Sequence, residues 1–302
     1  MSDAFLRFWG VRGSYSAPFR THLGVGGNTS CVEINTGGHL LVCDAGTGII
    51  PLGNRLMEQN RLREMMIILT HYHWDHICGL PFFVPAFSPD WTIHMFGPGE
   101  NGQQVEELIA AQMKAPYFPV ETGSWMAAID YLDRARGRLH YGPLEIEYQS
   151  VHHPGVTYGY RIQYRDRTIV YISDNECLFL EKSIARRYQE FDRAEQALLD
   201  KMQAEEKAAE LKLIEGADIL IHDAQYTPED YATKRGWGHS CYIDTVNSAI
   251  DAGVKTLYLF HHDPNYDDAT IAAIHEHSQQ LIRERGSDLE CLVAREEMVV
   301  EL

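Results

Sequence analysis

The sequence lacks several features that would place it in an easily recognised class of protein. No run of about eighteen apolar residues occurs, so we expect no membrane-spanning helix. No long tract of Gly, Pro or Ser suggests extended disorder. Lys and Arg together number 26 against 43 Asp and Glu, a net charge of −17. This balance disfavours a general affinity for nucleic acid or for anionic membranes.

Cysteine is also scarce, with six residues and no CxxC pair in 302. This argues against a disulfide or zinc–thiolate framework and is typical of buried free thiols in a reducing compartment. A chain of this length buries about three quarters of its unfolded surface, so a core needs no disulfides. The segment 1–12 has no apolar run of the signal-peptide type, and we therefore expect a cytoplasmic protein.

Short apolar runs alternate with helix-like stretches, a pattern typical of a layered α/β or αββα protein. No linker divides the chain, so a single domain over residues 1–302 is expected. Predicted strands are 40–43, 66–70, 91–96, 144–151, 158–163, 168–172, 218–221 and 255–260. Predicted helices are 103–113, 242–252 and 268–285. For the second helix, we expect Ser240 as the N-cap and Gly253 as the residue after the C-cap.

Residues 181–215 differ in composition, being rich in Ala, Glu, Lys and Leu without Gly or Pro. They are predicted to form a helical insertion of one long helix or a pair. Its apolar residues at three- and four-residue steps are Ile184, Tyr188, Phe191, Leu198 and Met202. We expect this face to pack on its own domain, and a dimerisation or lid arm, hence a homodimer, is the alternative.

Five predicted strands run directly into residues of the kinds that bind metals. These residues are Asp44, the segment His71–His76, the pair His152 and His153, Asp174, and the pair His261 and His262. Ligands in layered α/β folds bind beyond the carboxyl ends of strands, so residues distant in sequence can converge there. We therefore predict one polar site assembled from several strand ends.

The densest part of this pattern is His71-x-His73-x-Asp75-His76. Residues two apart in an extended turn point the same way, so His71 and His73 can hold one ion. Asp75 and His76, at the start of the next helix, can turn towards a second ion. Imidazole and carboxylate ligands suit zinc, iron or manganese. The alternative is that these residues occur by chance on a solvent-exposed loop. The apolar strand that precedes them argues against this, because it places the loop at a sheet edge over the core.

Together these residues resemble the metallo-β-lactamase fold superfamily along nearly the whole chain. The sequence looks most like its ribonuclease Z and small-phosphodiesterase branch, through the segments 9–14 (WGVRGS), 26–30 (GGNTS), 221–224 (IHDA) and 238–240 (GHS). It is closer still to uncharacterised bacterial metallo-hydrolases that share THxHWDHxxGLPFF, GWGHS and FHHDP. The resemblance implies an α+β fold, a four-layer αββα sandwich with the helical insertion 181–215.

The resemblance also implies two divalent metal ions, with zinc as the first choice and manganese or iron as alternatives. The ligands of one ion would be His71, His73 and His153. Those of the other would be Asp75, His76 and His261, with Asp174 bridging the two ions. Asp44 would orient a ligand imidazole.

Adjacent histidines leave two of these assignments open, because His152 or His262 could replace its neighbour. We choose His153 because it directly precedes Pro154 and Gly155. We choose His261 because it directly follows its apolar strand, as the last ligand of the family does.

Two ions that share a water supply hydroxide at neutral pH and offset charge on the attacked oxygen, which is hydrolytic chemistry. Cleavage of a phosphodiester also needs a proton donor for the leaving oxygen. The resemblance indicates His239 for this role, supported by Asp223. The predicted catalytic residues are Asp75, His239 and Asp223.

The expected substrate is a small phosphodiester such as a cyclic nucleotide or cyclic phosphate. Ribonuclease Z enzymes carry a tRNA-binding arm between the third-motif histidine and the bridging aspartate, but only 20 residues separate His153 from Asp174 here. Residues 181–215 hold 7 Lys and Arg against 9 Asp and Glu, so the insertion is not basic. We therefore expect neither tRNA nor a membrane as partner.

Three other functions stay open on sequence grounds. The same ions could hydrolyse an ester, thioester or lactone. A di-iron oxidoreductase or oxygen sensor of this fold would resemble HxExDH, with glutamate where this chain has His73. A metal-bound scaffold that binds a partner through residues 181–215 would hold metal without turnover.

Overall fold

Fourteen strands form two mixed sheets of seven strands in the part of the chain that the structure describes. This structure is a computed structural model, and it describes residues 4–59, 61–100, 102–132, 137–185 and 187–302. The sheets pack face to face, and helices cover their outer faces. The predicted αββα sandwich is therefore confirmed.

The first sheet has the order β14-β1-β2-β3-β4-β5-β6. Its strands are β1 (Phe5–Gly10), β2 (Cys31–Asn35), β3 (Leu40–Cys43), β4 (Glu64–Ile68), β5 (Thr92–Phe96), β6 (Ala128–Tyr131) and β14 (Val299–Glu301). Strands β3 to β6 are parallel to one another, whereas β14, β1, β2 and β3 pair antiparallel. The carboxyl ends of β3 and β4 therefore lie at the same edge.

The second sheet has the order β13-β12-β11-β10-β9-β8-β7. Its strands are β7 (Arg138–Tyr141), β8 (Leu144–Ser150), β9 (Tyr158–Tyr164), β10 (Arg167–Ile172), β11 (Ile219–Asp223), β12 (Thr256–Phe260) and β13 (Glu290–Val293). Strands β10 to β13 are parallel. The carboxyl ends of β10, β11 and β12 are therefore neighbours, as the predicted site requires.

The helices of the described residues are α1 (Ile49–Gln59), α2 (Trp74–Ile77), α3 (Val105–Gln112), α4 (Phe179–Ile184), α5 (Arg193–Ile214), α6 (Pro228–Lys234), α7 (Tyr242–Asp251) and α8 (Asp268–Glu284). Helices α1 and α3 bury their apolar residues against the first sheet, whereas α5, α7 and α8 pack on the second. None of the helices described has the length and apolar character that crossing a membrane requires.

Aromatic residues hold the inner faces of the two sheets together. The ring of Phe8, on β1, lies 5.3 Å from that of Tyr258 and 6.2 Å from that of Phe260, both on β12. Tyr171, on β10, contacts Phe260 from the side, and its ring centroid lies 5.7 Å away. This packing fixes the strand ends relative to one another, so side chains at those ends have defined positions.

All eight predicted strands and all three predicted helices are present, with ends shifted by a few residues. Six of the fourteen described strands were not predicted, namely β1, β2, β6, β7, β13 and β14. In β1 and β2, polar residues obscure the alternation of apolar side chains. Gly253 follows the last helical turn of α7 and has a φ of 66°, as predicted.

The predicted N-cap of α7 is wrong. Cys241 holds the N-cap position, one residue after Ser240. The Ser240 hydroxyl instead donates to the carbonyl oxygen of Asn175 at 2.6 Å and accepts from the backbone N–H of Cys177 at 3.0 Å. Ser240 therefore joins α7 to the loop that follows β10.

The predicted helical insertion comprises α4, a 3-10 turn at Tyr188–Glu190 and α5. Arg186, within this segment, lies outside the described residues. The expectation that its apolar face packs on the domain is wrong for two residues, since Leu198 is 59% and Met202 44% exposed. The reason is that α5 begins anew after its N-cap Asp192, so the spacing of residues 184–191 does not continue along one helix. Its buried residues are Leu213 and Ile214.

A pair of leucine substitutions tests this packing. Leu257→Ala, in the middle of β12 and fully buried, should lower the free energy of unfolding by about 2–5 kcal/mol because it leaves a cavity. Leu198→Ala should change it by less than about 0.5 kcal/mol. Urea denaturation measures both. A larger loss for Leu198→Ala, together with a concentration-dependent midpoint, would show that α5 packs on a second copy of the chain.

Candidate metal centre

The polar residues at the strand ends converge between the two sheets. Asp44 follows β3, the His71–His76 segment follows β4, Asp174 follows β10 and His261 follows β12. Each of these strand ends contributes at least one buried side chain, namely Asp44, His71, Asp75, His76, Asp174 and His261. The parallel strand direction places these ends on one edge, so the site arises from the topology of both sheets.

Backbone conformation at two of these positions is unusual. Asp44 has a φ of 61° and His261 a φ of 58°, both in the left-handed region that side chains other than glycine seldom adopt. Such conformations concentrate at functional sites, where the surrounding structure enforces them. Here they turn the chain at the end of β3 and of β12.

One group of side chains consists of His71, His73 and His153. Their ring centroids lie 4.4 Å (His71 to His73), 4.7 Å (His71 to His153) and 4.9 Å (His73 to His153) apart. His153 Nε2 is 3.0 Å from His73 Nδ1. His71 Nε2 is buried and has no hydrogen-bond partner among the described residues. Three imidazole nitrogens therefore surround one small space.

A second group consists of Asp75, His76, Asp174 and His261. The Nε2 atoms of His76 and His261 are 3.3 Å apart. Asp75 Oδ2 lies 3.1 Å from His261 Nε2 and 3.3 Å from His76 Nε2. Neighbouring imidazole nitrogens around a carboxylate oxygen are an arrangement suited to a shared cation.

Asp174 lies between the two groups, with one oxygen towards each. Its Oδ1 is 3.0 Å from His76 Nε2 and 3.3 Å from His261 Nε2. Its Oδ2 is 3.7 Å from His71 Nε2 and 3.6 Å from His153 Nε2. This carboxylate can therefore contact ions in both groups at once.

The residues present fit divalent metal ions. His71 Nε2 and Asp174 Oδ1 are buried without a satisfactory hydrogen bond, which is costly unless another ligand engages them. Nitrogen and oxygen donors in groups of three and four suit zinc, manganese or iron. His152 and His262 lie outside both groups, because His152 stacks on Phe179 and His262 Nε2 donates to the carbonyl oxygen of Ala294.

Protonation also favours metal binding in the first group. Burial lowers the pKa of His71 well below its usual range, lowers the pKa of His73, and lowers the pKa of His153 to about 4. These imidazoles are therefore neutral near pH 7 and keep the lone pairs that bind metals. Burial disfavours ionised Asp174, but His261, His76 and His71 hold its pKa well below the usual range.

Three of these histidines form a hydrogen bond through Nδ1, the ring nitrogen that faces away from the centre. His76 Nδ1 donates to Asp44 Oδ2 at 2.8 Å, and that oxygen also accepts from the Tyr171 hydroxyl. His153 Nδ1 donates to the carbonyl oxygen of Gly238 at 2.7 Å. His261 Nδ1 donates to Gln225 Oε1 at 2.9 Å. These contacts fix the tautomers so that the remaining nitrogens face the centre.

His239 and Asp223 form a hydrogen-bonded pair beside the two groups. His239 Nδ1 donates to Asp223 Oδ2 at 2.8 Å, and the His239 ring stacks on His261 at 4.9 Å. Asp223 is itself held by the backbone N–H groups of Asn175 and Gln225. Burial alone would lower the pKa of His239, but the Asp223 carboxylate and its hydrogen bond raise it to about 8.

The sequence analysis missed Glu176, which positions the loop that carries His239. Its carboxylate accepts the backbone N–H groups of Gly236 and Gly238, each at 3.0 Å, and the Tyr231 hydroxyl at 2.8 Å. Gly238 has a φ of 88°, and a Cβ there would lie 2.3 Å from His153 Nδ1. No spacing pattern in the sequence marks Glu176.

The amino-terminal motif WGVRGS also reaches the site. The backbone N–H of Ser14 donates to Asp75 Oδ2 at 2.6 Å, and Gln225 Nε2 donates to the Ser14 hydroxyl at 3.3 Å. A Cβ on Gly13 would lie 2.3 Å from the His261 ring, so only glycine lets this loop approach. Ser14 thus contacts two side chains at the centre, Asp75 and Gln225.

A cavity of about 340 Å³ opens beside the first histidine group. Its lining consists of His71, Tyr72, His73, Glu100, Pro154, Gly155 and Val156. Neither Lys nor Arg is among these lining residues. The opening therefore suits a small substrate whose charge is offset at the centre itself.

Comparisons with known proteins agree with this geometry. The family model described as "Beta-lactamase superfamily domain" matches residues 39–207. Ribonuclease Z of Sulfurisphaera tokodaii is 24% identical over 244 residues, 71% of this chain and 76% of that protein. The metallo-beta-lactamase fold protein YhfI of Bacillus subtilis superposes with a TM-score of 0.67 at 17% identity, covering 100% of both chains. A diphosphatase from the PhnP family superposes with a TM-score of 0.63 at 16% identity, covering 99% of this chain and 98% of that one.

Replacement of Asp174 tests the role of this carboxylate. Asp174→Ala should lower the affinity for divalent metal at least about tenfold, because both groups lose a shared oxygen ligand. Elemental analysis after dialysis against a metal buffer measures the content per chain. Asp130→Ala, at an exposed carboxylate paired with His94, is the control and should match the wild type. A folded Asp174→Ala protein with wild-type metal content would contradict the assignment.

Proposed function

Because the chain belongs to the beta-lactamase superfamily and is a metal-dependent hydrolase with the metallo-β-lactamase fold, we propose that it cleaves a small phosphodiester. A cyclic nucleotide or a cyclic phosphate is the substrate class we favour. The proposed centre holds two divalent ions, zinc by first choice. Its ligands are His71, His73 and His153 on one side, Asp75, His76 and His261 on the other, and Asp174 between them.

Bound divalent ions would supply a water of lowered pKa and would offset the negative charge of the phosphoryl oxygens. The protein contributes the geometry around them. Asp75 is held by the Ser14 backbone N–H, and His76 is held by Asp44, so both keep their orientation when substrate enters. Sheet packing excludes bulk water from the inner side of the centre, where Asp174 and His261 are buried.

The observation that carries the phosphodiester proposal is the His239–Asp223 pair. A phosphodiester leaving group is an alkoxide unless it receives a proton, so a positioned donor accelerates cleavage. His239 Nδ1 is committed to Asp223, which leaves Nε2 as the position for the transferred proton. Asp223 stabilises the imidazolium form and, through its contacts with Asn175 and Gln225, fixes the ring beside His261.

Charge and size support a small substrate. The cavity beside His73 has a volume of about 340 Å³ and lacks cationic side chains, whereas a long polyanion needs many phosphate contacts. Lys234, the last residue of α6, forms an ion pair with Asp263 at 3.2 Å. Residues 181–215, which include all of α5, hold fewer Lys and Arg than Asp and Glu, so this segment offers no excess of positive charge to a nucleic acid.

Hydrolysis of a neutral ester or lactone is the second candidate. It is favoured by the same lack of Lys and Arg around the cavity, since a neutral substrate needs no cationic side chain. An unactivated ester or lactone also expels an alkoxide, so a direct comparison of turnover on a lactone and on a cyclic nucleotide distinguishes the two reactions. A di-iron oxidoreductase is less well supported, since His73 occupies the position where such relatives have glutamate.

The first test of this proposal is His239→Ala. With bound metal retained, it should lose roughly 10²- to 10⁴-fold in turnover of a cyclic nucleotide, the range typical of a positioned general acid. Asp223→Asn should lose less, because the donor remains while its charged form is weakened. The loss should shrink on bis-p-nitrophenyl phosphate, whose leaving group is already acidic. Steady-state kinetics with metal analysis of each variant measures these effects.

The control is His94→Ala, whose imidazole contacts Glu64 and Asp130 away from the centre. It should keep wild-type kinetics. If His239→Ala loses a metal ion, His239 is a ligand and the assignment of His261 fails. If it keeps both its metal and full activity on every phosphodiester, ester or lactone hydrolysis becomes the better proposal.

The second test concerns tRNA, which we propose is not a substrate although ribonuclease Z is a relative. The enzyme should cleave a precursor tRNA 3′ trailer far more slowly than a cyclic nucleotide, because neither Lys nor Arg lines the cavity beside the first histidine group. Its rate on the small substrate should change little between low and moderate salt. Rapid trailer cleavage that falls steeply with salt would contradict this proposal. A cytoplasmic location and a homodimer stay predictions.

A further inference from the structure

A second cluster of potential metal ligands lies beneath helix α5, apart from the hydrolytic centre. It consists of Cys177, Glu210 and His222, whose ligand atoms all lie within 4.8 Å of one another. Cys177 Sγ is 3.9 Å from His222 Nε2. Cys177 is 0% and His222 1% exposed, so neither side chain is available to solvent at the surface. None of the three has a role in the proposed hydrolysis.

The orientation of His222 leaves a free lone pair directed at the cysteine. His222 Nδ1 lies 2.8 Å from the carbonyl oxygen of Asp223, which can only accept, so Nδ1 carries the proton. In the neutral imidazole, Nε2 is then an acceptor facing Cys177 Sγ. The side-chain amide of Asn175 donates to the same sulfur at 3.5 Å, which suits a sulfur that carries negative charge.

Glu210 supplies a further reason, independent of His222, to expect that this cluster binds a cation. Its Oε2 accepts the backbone N–H of Leu178 at 3.3 Å, but its Oε1 is buried with no hydrogen-bond partner among the described residues. A buried carboxylate oxygen without a donor costs free energy, whereas a bound cation would satisfy it. The Cys177 thiol lies beside the Glu210 carboxylate, and burial together with that carboxylate raises the pKa of the thiol well above its usual range. A bound divalent cation would take the place of the thiol proton between the sulfur and the carboxylate.

From these contacts we infer that Cys177, Glu210 and His222 form a separate site for one zinc ion or a similar thiophilic divalent metal. Tetrahedral zinc with sulfur at about 2.3 Å and nitrogen at about 2.0 Å places these two ligands about 3.6 Å apart. The observed 3.9 Å is longer by only a few tenths of an ångström. Binding exchanges the S–H bond of Cys177 for a sulfur–metal bond, and the proton passes to solvent.

Room for a fourth ligand exists beside the cluster. A cavity of about 250 Å³ lies between α5 and the ends of β8 and β10, and Glu210, Glu206 and Asn175 line it. A water there completes a three-protein-ligand site, and the two glutamates attract a cation towards it. Of the three residues of the cluster, Glu210 is the one that lines this cavity.

The site would be structural and would support the hydrolytic centre without entering the reaction. Cys177 follows Asp174 by three residues, and His222 immediately precedes Asp223. An ion bound to Cys177, His222 and Glu210 therefore ties α5 to the two strand ends that carry Asp174 and Asp223. This inference is independent of the proposed function, since it needs no turnover.

Cobalt spectroscopy under reducing, thiol-free conditions tests the inference directly. The hydrolytic centre has only nitrogen and oxygen donors, so a thiolate-to-cobalt charge-transfer band in the near ultraviolet reports the Cys177 site alone. When metal-free wild-type protein is titrated with Co²⁺ to saturation, this band should reach the intensity expected of one thiolate–cobalt bond per chain. Cys177→Ser should lose it, and Glu210→Gln should weaken Co²⁺ binding at this site at least about tenfold.

Two controls separate this site from the hydrolytic one. Cys291→Ser removes another buried thiol and should keep the band, as should Asp174→Ala, which alters only the other centre. No band in fully loaded wild-type protein overturns the inference, as does a band that survives in Cys177→Ser. If Cys177→Ser does not fold, unchanged Co²⁺ affinity in Glu210→Gln overturns it instead. Loss of hydrolysis in His239→Ala leaves the band unaffected.

Discussion

The burial of Asp174 between two groups of histidines is the constraint on which the rest of the site depends. Its two oxygens face different groups, and no Lys or Arg among the described residues forms an ion pair with it. A buried carboxylate needs opposite charge or several donors to offset its lost hydration. His261, His76 and His71 hold the pKa of Asp174 well below its usual range, and the divalent ions proposed for this centre would offset its charge further.

The αββα architecture provides the rigidity that such a centre needs. Parallel strands from both sheets end at the same edge, and aromatic packing between Phe8 and Phe260 keeps those ends in register. Hydrogen bonds to side chains outside the two groups then fix the rings, since His76 donates to Asp44 and His261 donates to Gln225. Left-handed backbone at Asp44 and at His261 is accepted because these surrounding contacts enforce it.

The loop after β10 connects the chemistry to the rest of the molecule. Within a few residues it supplies Asp174 to the centre, Asn175 to Asp223, Glu176 to the His239 loop and Cys177 to the cluster under α5. Each contact uses a different direction from the same short segment. The His239–Asp223 pair and helix α5 are therefore connected through hydrogen bonds to this one loop.

The sequence by itself determined the layered fold and the chemical identity of the centre, because apolar runs ending in His and Asp are local patterns. It also indicated the His239–Asp223 pair through resemblance. The sequence favoured His153 and His261 through their neighbours in the chain, and the tertiary structure places these two in the groups of potential ligands and His152 and His262 outside them. Tertiary structure likewise revealed Glu176 and the exposed face of α5, because long-range hydrogen bonds and the break before Asp192 leave no periodic signal in the chain.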